Sequence, residues 1–239
     1  MARRRFFVDA VQSGHARISG PEAHHLTRVL RVEPGQRFEI SDNRAVYLAE
    51  VESARKDLVS FSVLEKLLVP EASVRTTLLA SLIRFERFEW ILEKATELGV
   101  ERIVPVQAER SEKGLDRAAV KRLPRWTRIV REASEQSRRA QLPEIAAPAE
   151  FPEAIATSAD HRYALDEAGA LPILSSLPES RTSGASVALL VGPEGGWTDR
   201  EREVFTQAGW RPVSLGNGIL RAETAAISAL SVINAFWEI

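Results

Sequence analysis

The pattern of hydrophobic positions changes near residue 70. Before it, apolar residues alternate with polar ones in short runs, as at Val59, Phe61 and Val63, which predicts strands buried on one face. One short helix is expected at 21–30, with a proline in its first turn. Short strands with few helices predict a small β-barrel over residues 1–69.

From residue 74 onward, predicted strands alternate with amphipathic helices. After a strand at 74–80, an apolar stripe from Phe85 to Leu98 recurs at helical spacing and ends at Gly99, which suits a left-handed helix cap. The other predicted strands are 102–106, 144–147, 162–166, 186–192 and 211–215, and the other predicted helices are 116–139 with a break at Pro124, 151–157, 199–208 and 222–237. This alternation predicts a parallel α/β sheet with helices on both faces.

Composition narrows the class of protein. With 44% hydrophobic and 27% charged residues, the chain can bury a core and is not disordered. The absence of cysteine excludes disulfides, thiolate metal sites and a cysteine nucleophile, and the presence of only four histidines argues against a zinc site, so no metal is expected. The chain has no apolar run of about 18 residues, so no membrane span is predicted. Asp9 interrupts the apolar core that a signal peptide would need. A cytoplasmic protein is therefore expected.

The charge is distributed unevenly although the net charge is −1. Residues 102–139 carry 11 basic and 5 acidic side chains, whereas residues 140–239 carry 6 basic and 13 acidic ones. The basic positions of 117–131 recur every three or four residues, with Pro124 between them. This block fits either a nucleic-acid-binding surface or a solvated helix face.

A first glycine-rich loop, 192–196 (Gly-Pro-Glu-Gly-Gly), follows the apolar strand 187–191. It is neither a Walker A sequence nor a dinucleotide fingerprint. Because Glu194 brings a negative charge and no cation accompanies it, the loop disfavours a triphosphate and suits an adenosine that bears a positive sulfonium. The alternative is a tight turn without a ligand.

A second loop, Leu215-Gly216-Asn217-Gly218, follows the next predicted strand. Ligands of open α/β sheets bind beyond the carboxyl ends of strands, so the two loops are expected to wall one pocket. Arg221 and Glu223 then stand beside it at a helix start. A surface ion pair between these two residues is the alternative.

The sequence resembles the small-subunit ribosomal RNA uridine-N3 methyltransferases of the SPOUT class. The resemblance covers nearly the whole chain in order, through the segments 24–31, 94–100, 135–139, 190–196 and 215–225. It departs from the family pattern at Gly218, where members usually have arginine, at Ala222, where threonine is usual, and at Ile83-Arg84-Phe85, where Pro-Lys-Gly is familiar.

The resemblance implies a specific architecture and activity. It implies a PUA-like RNA-binding β-barrel at 1–69, an α/β methyltransferase domain with a deep trefoil knot at 70–239, and a homodimer. S-adenosylmethionine would bind in the knot, and its methyl group would pass to N3 of one uridine in 16S ribosomal RNA of the small subunit. The alternatives are methylation of another RNA position, such as a ribose 2′-hydroxyl, or an RNA-binding assembly protein without catalysis.

The resemblance also assigns residues to roles. The expected catalytic residues are Arg221, for the negative charge on the uracil oxygens, and Glu223, which with Glu194 is a candidate to take the N3 proton. The expected cofactor-binding residues are Leu165, Leu190, Gly192, Glu194, Gly196, Leu215, Gly216, Leu220 and Thr224. The expected RNA-binding residues are Arg28, Arg31, Arg128, Arg131, Gln136 and Arg139.

Overall fold

The structure, a computed structural model, describes residues 4–168 and 170–238. Contacts within the chain divide it into two units. The first holds residues 4–70 together with Ser134–Leu142, and the second holds the rest of the described chain. No helix in the described part is long and apolar enough to cross a membrane.

The first unit is a five-stranded sheet covered by one helix. Its elements are β1 (Arg5–Phe7), β2 (His15–Ser19), α1 (Gly20–Arg28), β3 (Arg37–Ser41), β4 (Val46–Arg55) and β5 (Leu58–Leu67). The strand order β1-β3-β4-β5-β2 leaves β1 and β2 at the two edges of a curled sheet, so the predicted barrel has the form of a half-barrel. Helix α1 buries Ala23 and Leu26 in the same core as Val59 and Phe61, which confirms the predicted strand-rich region with one helix.

The segment Ser134–Leu142 joins this unit through hydrogen bonds to the turn after β3. Ser41 Oγ donates to the Ala140 carbonyl at 2.6 Å, and the Leu142 amide donates to Asn43 Oδ1 at 2.7 Å. Asn43 itself has a φ of 65°, a left-handed conformation that asparagine tolerates better than most residues. A turn residue of the first unit thus fixes a distant part of the chain.

The second unit is a parallel α/β layer, as predicted. Its strands are β6 (Val74–Ser81), β7 (Arg102–Gln107), β8 (Glu144–Ile145), β9 (Ala149–Glu150), β10 (His161–Leu165), β11 (Leu171–Pro172), β12 (Ala185–Val191) and β13 (Arg211–Ser214). Its helices are α2 (Phe85–Glu97), α3 (Leu115–Gln136, whose last turn lies in the first unit), α4 (Phe151–Ile155), α5 (Ile173–Ser176), α6 (Asp199–Gln207) and α7 (Ala222–Glu238). The sheet order is β11-β13-β10-β12-β6-β7-β8, and β9 also pairs with β7.

Successive residues of the central strands serve two separate cores. In β12, Leu189 and Val191 lie in the core that also contains α2 and α7, whereas Ala188 and Leu190 lie in the core with α4 and α6. This alternation follows from the two-residue repeat of a strand. It confirms the prediction of helices on both faces of the sheet.

Helix α3 runs through Pro124 without a break, so the break predicted at that residue is wrong. A proline inside a helix removes one backbone hydrogen bond and costs about 3 kcal/mol. Here the burial of Trp126 and Val130, which follow it on the same helix, outweighs that cost. Trp126 is buried and packs against Phe88 with a ring distance of 4.8 Å.

Candidate active site

A cavity of about 270 Å³ lies at the carboxyl ends of three neighbouring strands, β12, β10 and β13. Both glycine-rich loops line it, which confirms that they wall one pocket. The strands that lead into the two loops are not neighbours, however. Strand β10 pairs with both of them and contributes Leu165, and the two residues after it, Asp166 and Glu167, complete the wall.

The first glycine loop is packed against a buried tryptophan. A Cβ built on Gly192 would lie 3.0 Å from the Trp197 ring, which is itself buried and donates its Nε1 hydrogen to the Leu165 carbonyl at 2.9 Å. The loop then turns sharply, because the Gly196 amide donates to the Pro193 carbonyl at 2.9 Å. Gly196 has a φ of 68°, which favours glycine.

Side chains from a neighbouring loop hold the first glycine loop in place. Arg110 donates from one guanidinium nitrogen to the carbonyl oxygens of Gly195, at 2.8 Å, and Trp197, at 3.3 Å. Just beyond, Thr198 and Glu201 form a capping box at the start of α6, the helix predicted at 199–208. The Glu201 carboxylate also accepts from the Glu109 amide at 2.9 Å, so it joins the Arg110 loop to the helix.

The second glycine loop is open by comparison. Gly216 has a φ of 119°, and nothing lies within 4 Å of a Cβ built on Gly216 or Gly218. Ile219 and Leu220, which follow, are exposed apolar side chains that line the cavity. Since exposed apolar residues beside a cavity are suited to a ligand, this loop offers an apolar contact surface.

Acidic side chains line the cavity beside β10. The Asp166 carboxylate is buried and accepts from Arg202 Nε at 3.0 Å and from Arg202 Nη2 at 3.2 Å. These hydrogen bonds raise the pKa of Arg202 above its ordinary value, although burial acts in the opposite direction. Glu167 lies beside Gly196, with its Oε1 2.8 Å from a Cβ built on that glycine. Arg202 lies 3.9 Å from Glu167 as well, so it offsets part of the negative charge on this side of the cavity.

Arg87 of α2 connects the two candidate carboxylates of the site. Its guanidinium donates to Glu194 in the first loop and lies 3.8 Å from Glu223 Oε1, measured from Nε. The alternative of a surface ion pair between Arg221 and Glu223 is thus wrong, because Glu223 is buried and pairs with Arg87. Arg221 is exposed, lines the cavity and makes no ion pair with any described residue.

Most of the predicted cofactor residues line the cavity. They are Leu165, Gly192, Glu194, Gly196, Leu215, Gly216 and Leu220, and the predicted catalytic residue Arg221 lies with them. The Leu190 side chain does not, because it belongs to the opposite phase of β12 and packs in the core with α4 and α6. Thr224 is exposed on α7 and does not line the cavity either. Glu223 reaches the site only through Arg87.

Sequence reasoning missed three charged residues of the cavity, namely Arg87, Asp166 and Glu167. All three lie shortly after a strand that ends at this edge of the sheet. The signal was available in principle: the acidic pair comes directly after the apolar strand β10, in the position where open α/β sheets bind ligands. Arg87 gives no comparable signal, because it lies in a helix whose pattern indicates only an amphipathic stripe.

The candidate RNA-binding residues fall in both units. Arg28 and Arg31 are exposed at and after the end of α1 in the first unit, where Arg139 donates to the Gln141 carbonyl at 3.1 Å and Gln136 is exposed. On α3, Arg128 pairs with Glu132 at 3.3 Å on the exposed face, and Arg131 is half-buried.

The basic block on α3 is partly neutralised. Arg125 makes two hydrogen bonds of 2.7 Å to Glu89, and Arg122 lies 3.5 Å from the same carboxylate. The hydrogen bond from Arg125 lowers the pKa of Glu89, although burial opposes the shift. In the described residues no cluster of three or more potential metal ligands occurs.

Comparisons with known proteins agree with this site. A family model described as an RNA methyltransferase domain matches residues 70–234, and one described as an RNA methyltransferase PUA domain matches residues 18–64. Ribosomal RNA small subunit methyltransferase E of Bacillus subtilis is 34% identical over 226 residues, which cover 91% of this chain and 88% of the relative. The protein of that name from Synechocystis is 37% identical over 229 residues, covering 91% of this chain and 72% of the relative.

A solved structure agrees over the full length of the chain. Ribosomal RNA small subunit methyltransferase E from Neisseria gonorrhoeae, bound to S-adenosyl methionine, is 29% identical and superposes with a TM-score of 0.87. The match covers 99% of this chain and 98% of the other. The resemblance inferred from the glycine-rich loops is confirmed, and the chain belongs to the RNA methyltransferase family that includes ribosomal RNA small subunit methyltransferase E.

Proposed function

We propose that this protein transfers the methyl group of S-adenosylmethionine to N3 of a specific uridine in 16S ribosomal RNA. The observation that carries the proposal is the cavity between two glycine-rich loops, with Arg221 at its wall and free of ion pairs to the described residues. The family membership supports the general reaction, and the lining of the cavity supports the choice of residues.

The lining of the cavity supports the proposed cofactor. S-adenosylmethionine supplies an electrophilic methyl group on a positively charged sulfonium sulfur. Asp166, Glu167 and Glu194 lie at the cavity wall, where Arg202 and Arg87 offset part of their charge. Glu167, 3.9 Å from Arg202 and 55% exposed, is the carboxylate most available to a cation. The missing Cβ atoms at Gly216 and Gly218 leave open space in which the backbone can approach a ligand.

The target nitrogen must lose a proton before it can act as a nucleophile. Uracil N3 is protonated at neutral pH, and its deprotonation spreads negative charge onto O2 and O4. We assign the stabilisation of that charge to Arg221, because its guanidinium is not neutralised by a described carboxylate. Glu223 and Glu194 are the candidate proton acceptors: Glu194 lines the cavity, whereas Glu223 is buried and pairs with Arg87.

The wider assignments follow from the same family membership. We propose a PUA-like RNA-binding domain at 1–69, a knotted methyltransferase domain at 70–239, a homodimer and a cytoplasmic protein. RNA contacts are assigned to Arg28, Arg31, Arg128, Arg131, Gln136 and Arg139, and the cofactor contacts to the cavity-lining residues named above. The target base must leave the stack of its neighbours to reach the cavity.

The direct test is methylation of ribosomal RNA. The purified protein, S-adenosylmethionine carrying a labelled methyl group and small-subunit RNA or assembled subunits are expected to give N3-methyluridine, identified by mass spectrometry of the nucleosides. In cells that lack the protein, a primer-extension stop at the modified uridine should disappear, because N3 methylation blocks base pairing. Label in a ribose 2′-O-methyl nucleoside or in another base would favour the other RNA positions, and cofactor binding without label transfer would favour an assembly protein.

The role of Arg221 predicts a defect in the rate rather than in binding. Arg221→Ala is expected to lower the single-turnover rate about 100-fold, the effect of losing one oxyanion donor, while the dissociation constants for cofactor and RNA change only a few-fold. Raising the pH should partly restore the rate, because more uracil then loses its proton without help. A wild-type rate, or a parallel loss of cofactor affinity without pH rescue, would remove Arg221 from the chemistry.

RNA recognition is proposed to be mainly electrostatic. Charge reversal at Arg128, whose guanidinium is exposed and pairs only with the exposed Glu132 in the described part, should weaken RNA binding and reduce its dependence on salt. Arg125→Glu is not an equivalent probe, because it also breaks the pair with Glu89. Arg75→Glu, on a strand away from α3, serves as the matched control. An unchanged salt dependence in Arg128→Glu would make the block a solvated helix face.

A further inference from the structure

The carboxylates that line the cavity differ in how far a cation already neutralises them. Asp166 is buried and accepts hydrogen bonds from Arg202, and Glu194 accepts one from Arg87. Glu167, the third carboxylate in the described lining, makes no hydrogen bond with a described side chain. Its nearest described cation, Arg202 Nη2, lies 3.9 Å from Oε1, which is beyond hydrogen-bond distance. Glu167 is therefore the least neutralised carboxylate of the cavity wall.

Arg202 is held in place by its other contacts. Its Nε and Nη2 donate to Asp166 at 3.0 and 3.2 Å, and its Nη1 donates to Asp199 at 3.1 Å. It therefore cannot approach Glu167 without loss of these hydrogen bonds. Three carboxylates share one positive charge, so the cluster as a whole is negative, and Glu167 is its exposed member in the cavity lining.

The Glu167 carboxylate lies directly against the first glycine loop. A Cβ built on Gly196 would lie 2.8 Å from Glu167 Oε1, so a glycine at this position leaves room for the carboxylate. The backbone before and after Glu167 is also held. The Asp166 amide donates to the Val213 carbonyl at 3.0 Å, and the Ala168 amide donates to Asp166 Oδ1 at 3.3 Å. An exposed carboxylate on a held turn is thus available to a ligand in the cavity.

We propose that Glu167 distinguishes the charged cofactor from its neutral product. The inference deepens the proposed function and rests on it. S-adenosylmethionine carries a positive sulfonium, whereas S-adenosylhomocysteine carries a neutral thioether. In the transfer the methyl carbon bonds to N3, the N3 proton leaves to water, and the electrons of the broken carbon–sulfur bond remain on sulfur. The negative charge of Glu167 attracts the ligand before the transfer, and this attraction is lost after it.

This assignment gives Glu167 a role in product release. The cofactor and the product share the adenosine and the amino-acid group, so contacts with those parts contribute to the binding of both. Only an interaction with the sulfonium charge separates their affinities. Because Glu167 is 55% exposed, water screens its charge, and we expect it to favour the cofactor by about 3- to 10-fold, between an exposed ion pair and a closer pair near a protein surface.

Calorimetry with the two ligands, in the absence of RNA, tests the inference. Glu167→Gln is expected to weaken S-adenosylmethionine binding by about 3- to 10-fold and to change S-adenosylhomocysteine binding less than about 2-fold. Glu167→Asp keeps the charge and should retain part of the preference. Glu203→Gln, which removes an exposed carboxylate of α6 outside the cavity lining, is the matched control and should leave both affinities unchanged.

Two further measurements isolate the contribution of charge. Raising the salt concentration should reduce the preference of the unaltered protein for S-adenosylmethionine more than it reduces the preference of Glu167→Gln, because salt screens an exposed carboxylate. Sinefungin carries a protonated amine in place of the methylated sulfonium. Its affinity should therefore fall in Glu167→Gln, as that of S-adenosylmethionine does.

Specific outcomes would overturn the inference. An equal loss of affinity for cofactor and product in Glu167→Gln would mean that Glu167 contacts a group that both ligands share. Unchanged affinities would exclude Glu167 from ligand binding. If the unaltered protein binds neither ligand, the inference and the proposed function fail together. If it binds both ligands but methylates no uridine, only the proposed function fails, because the preference is measured without RNA.

Discussion

Both glycine-rich loops of the cavity hold a glycine at a positive φ, Gly196 at 68° and Gly216 at 119°, but only the first loop also needs glycine for space. In the first loop, Gly192 is required by space, because a Cβ built there would lie 3.0 Å from the buried ring of Trp197. In the second loop, Gly216 is required by the backbone, since its φ is 119° and nothing lies within 4 Å of a Cβ at that position. The first loop is therefore closely packed without a ligand, whereas the second loop has open space beside its glycine.

The surroundings of the loops show the same contrast. Arg110 binds two carbonyl oxygens of the first loop region, and the Thr198–Glu201 capping box fixes the helix that follows it. The second loop leads instead into Ile219, which is 89% exposed. Preorganised dipoles cost little to reorganise during a reaction, whereas an open loop can adjust to a bound ligand. The contrast indicates that the first loop is a fixed frame, whereas the second loop has room to adjust to a ligand.

The largest effect is expected where the frame itself is disturbed. Gly192→Val would push branched methyl groups into the Trp197 ring, which packs against Phe151 and Phe205 and cannot retreat. Overpacking of this kind costs about 1–3 kcal/mol of stability. We expect a lower melting temperature and a loss of cofactor binding together, measured by thermal unfolding and calorimetry. Normal stability with normal affinity would contradict the account of a rigid first loop.

A smaller and more selective effect is expected at the open loop. Gly216→Val places a β-branched residue at a φ of 119°, a strain of about 1–3 kcal/mol. We expect cofactor affinity to fall by about 10- to 100-fold or more, while circular dichroism stays native, because no packed side chain is displaced. Unchanged affinity would mean that the cofactor does not contact the second loop.

The fold was largely predictable because its signals are local. The period of the apolar residues predicts the change from strands to alternating strands and helices. A helix start such as that of α6, where Thr198 and Glu201 form a capping box, is likewise encoded within a few residues. The helix break predicted at Pro124 is wrong because that prediction also used only a local signal. Its local preference against a helix interior is real, but the burial of Trp126, invisible in a local pattern, outweighs it.

The sequence predicts only those parts of the site that lie within the two glycine-rich loops. The glycine-rich pattern of the two loops identifies Gly192, Gly196 and Gly216, and each of these residues lines the cavity. Arg87 does not, because its contacts with Glu194 and Glu223 join residues more than 100 positions apart. Such pairing depends on strand order, which places β6 beside β12, and a single sequence carries no direct signal of that order. The alternation along β12 that directs Leu190 away from the cavity is a local signal. It does not show which face of the sheet borders the cavity.

The smallest effect is expected two residues further along the open loop, at Gly218. As at Gly216, a Cβ built on Gly218 would meet nothing within 4 Å, but the φ of Gly218 lies outside the left-handed range that disfavours side chains. The same substitution at the two positions therefore separates the effect of open space around the Cβ from the effect of the backbone conformation. Gly218→Ala is expected to raise the free energy of unfolding by about 0.4–1 kcal/mol, because alanine restricts the unfolded chain, and Gly216→Ala is expected to lower it. Cofactor affinity should change no more than a few-fold in Gly218→Ala. Thermal unfolding and calorimetry on this matched pair measure the free energy of unfolding and the cofactor affinity. Equal losses of stability and affinity at both positions would show that the loop depends on open space throughout. The two glycine-rich loops would then differ only in degree.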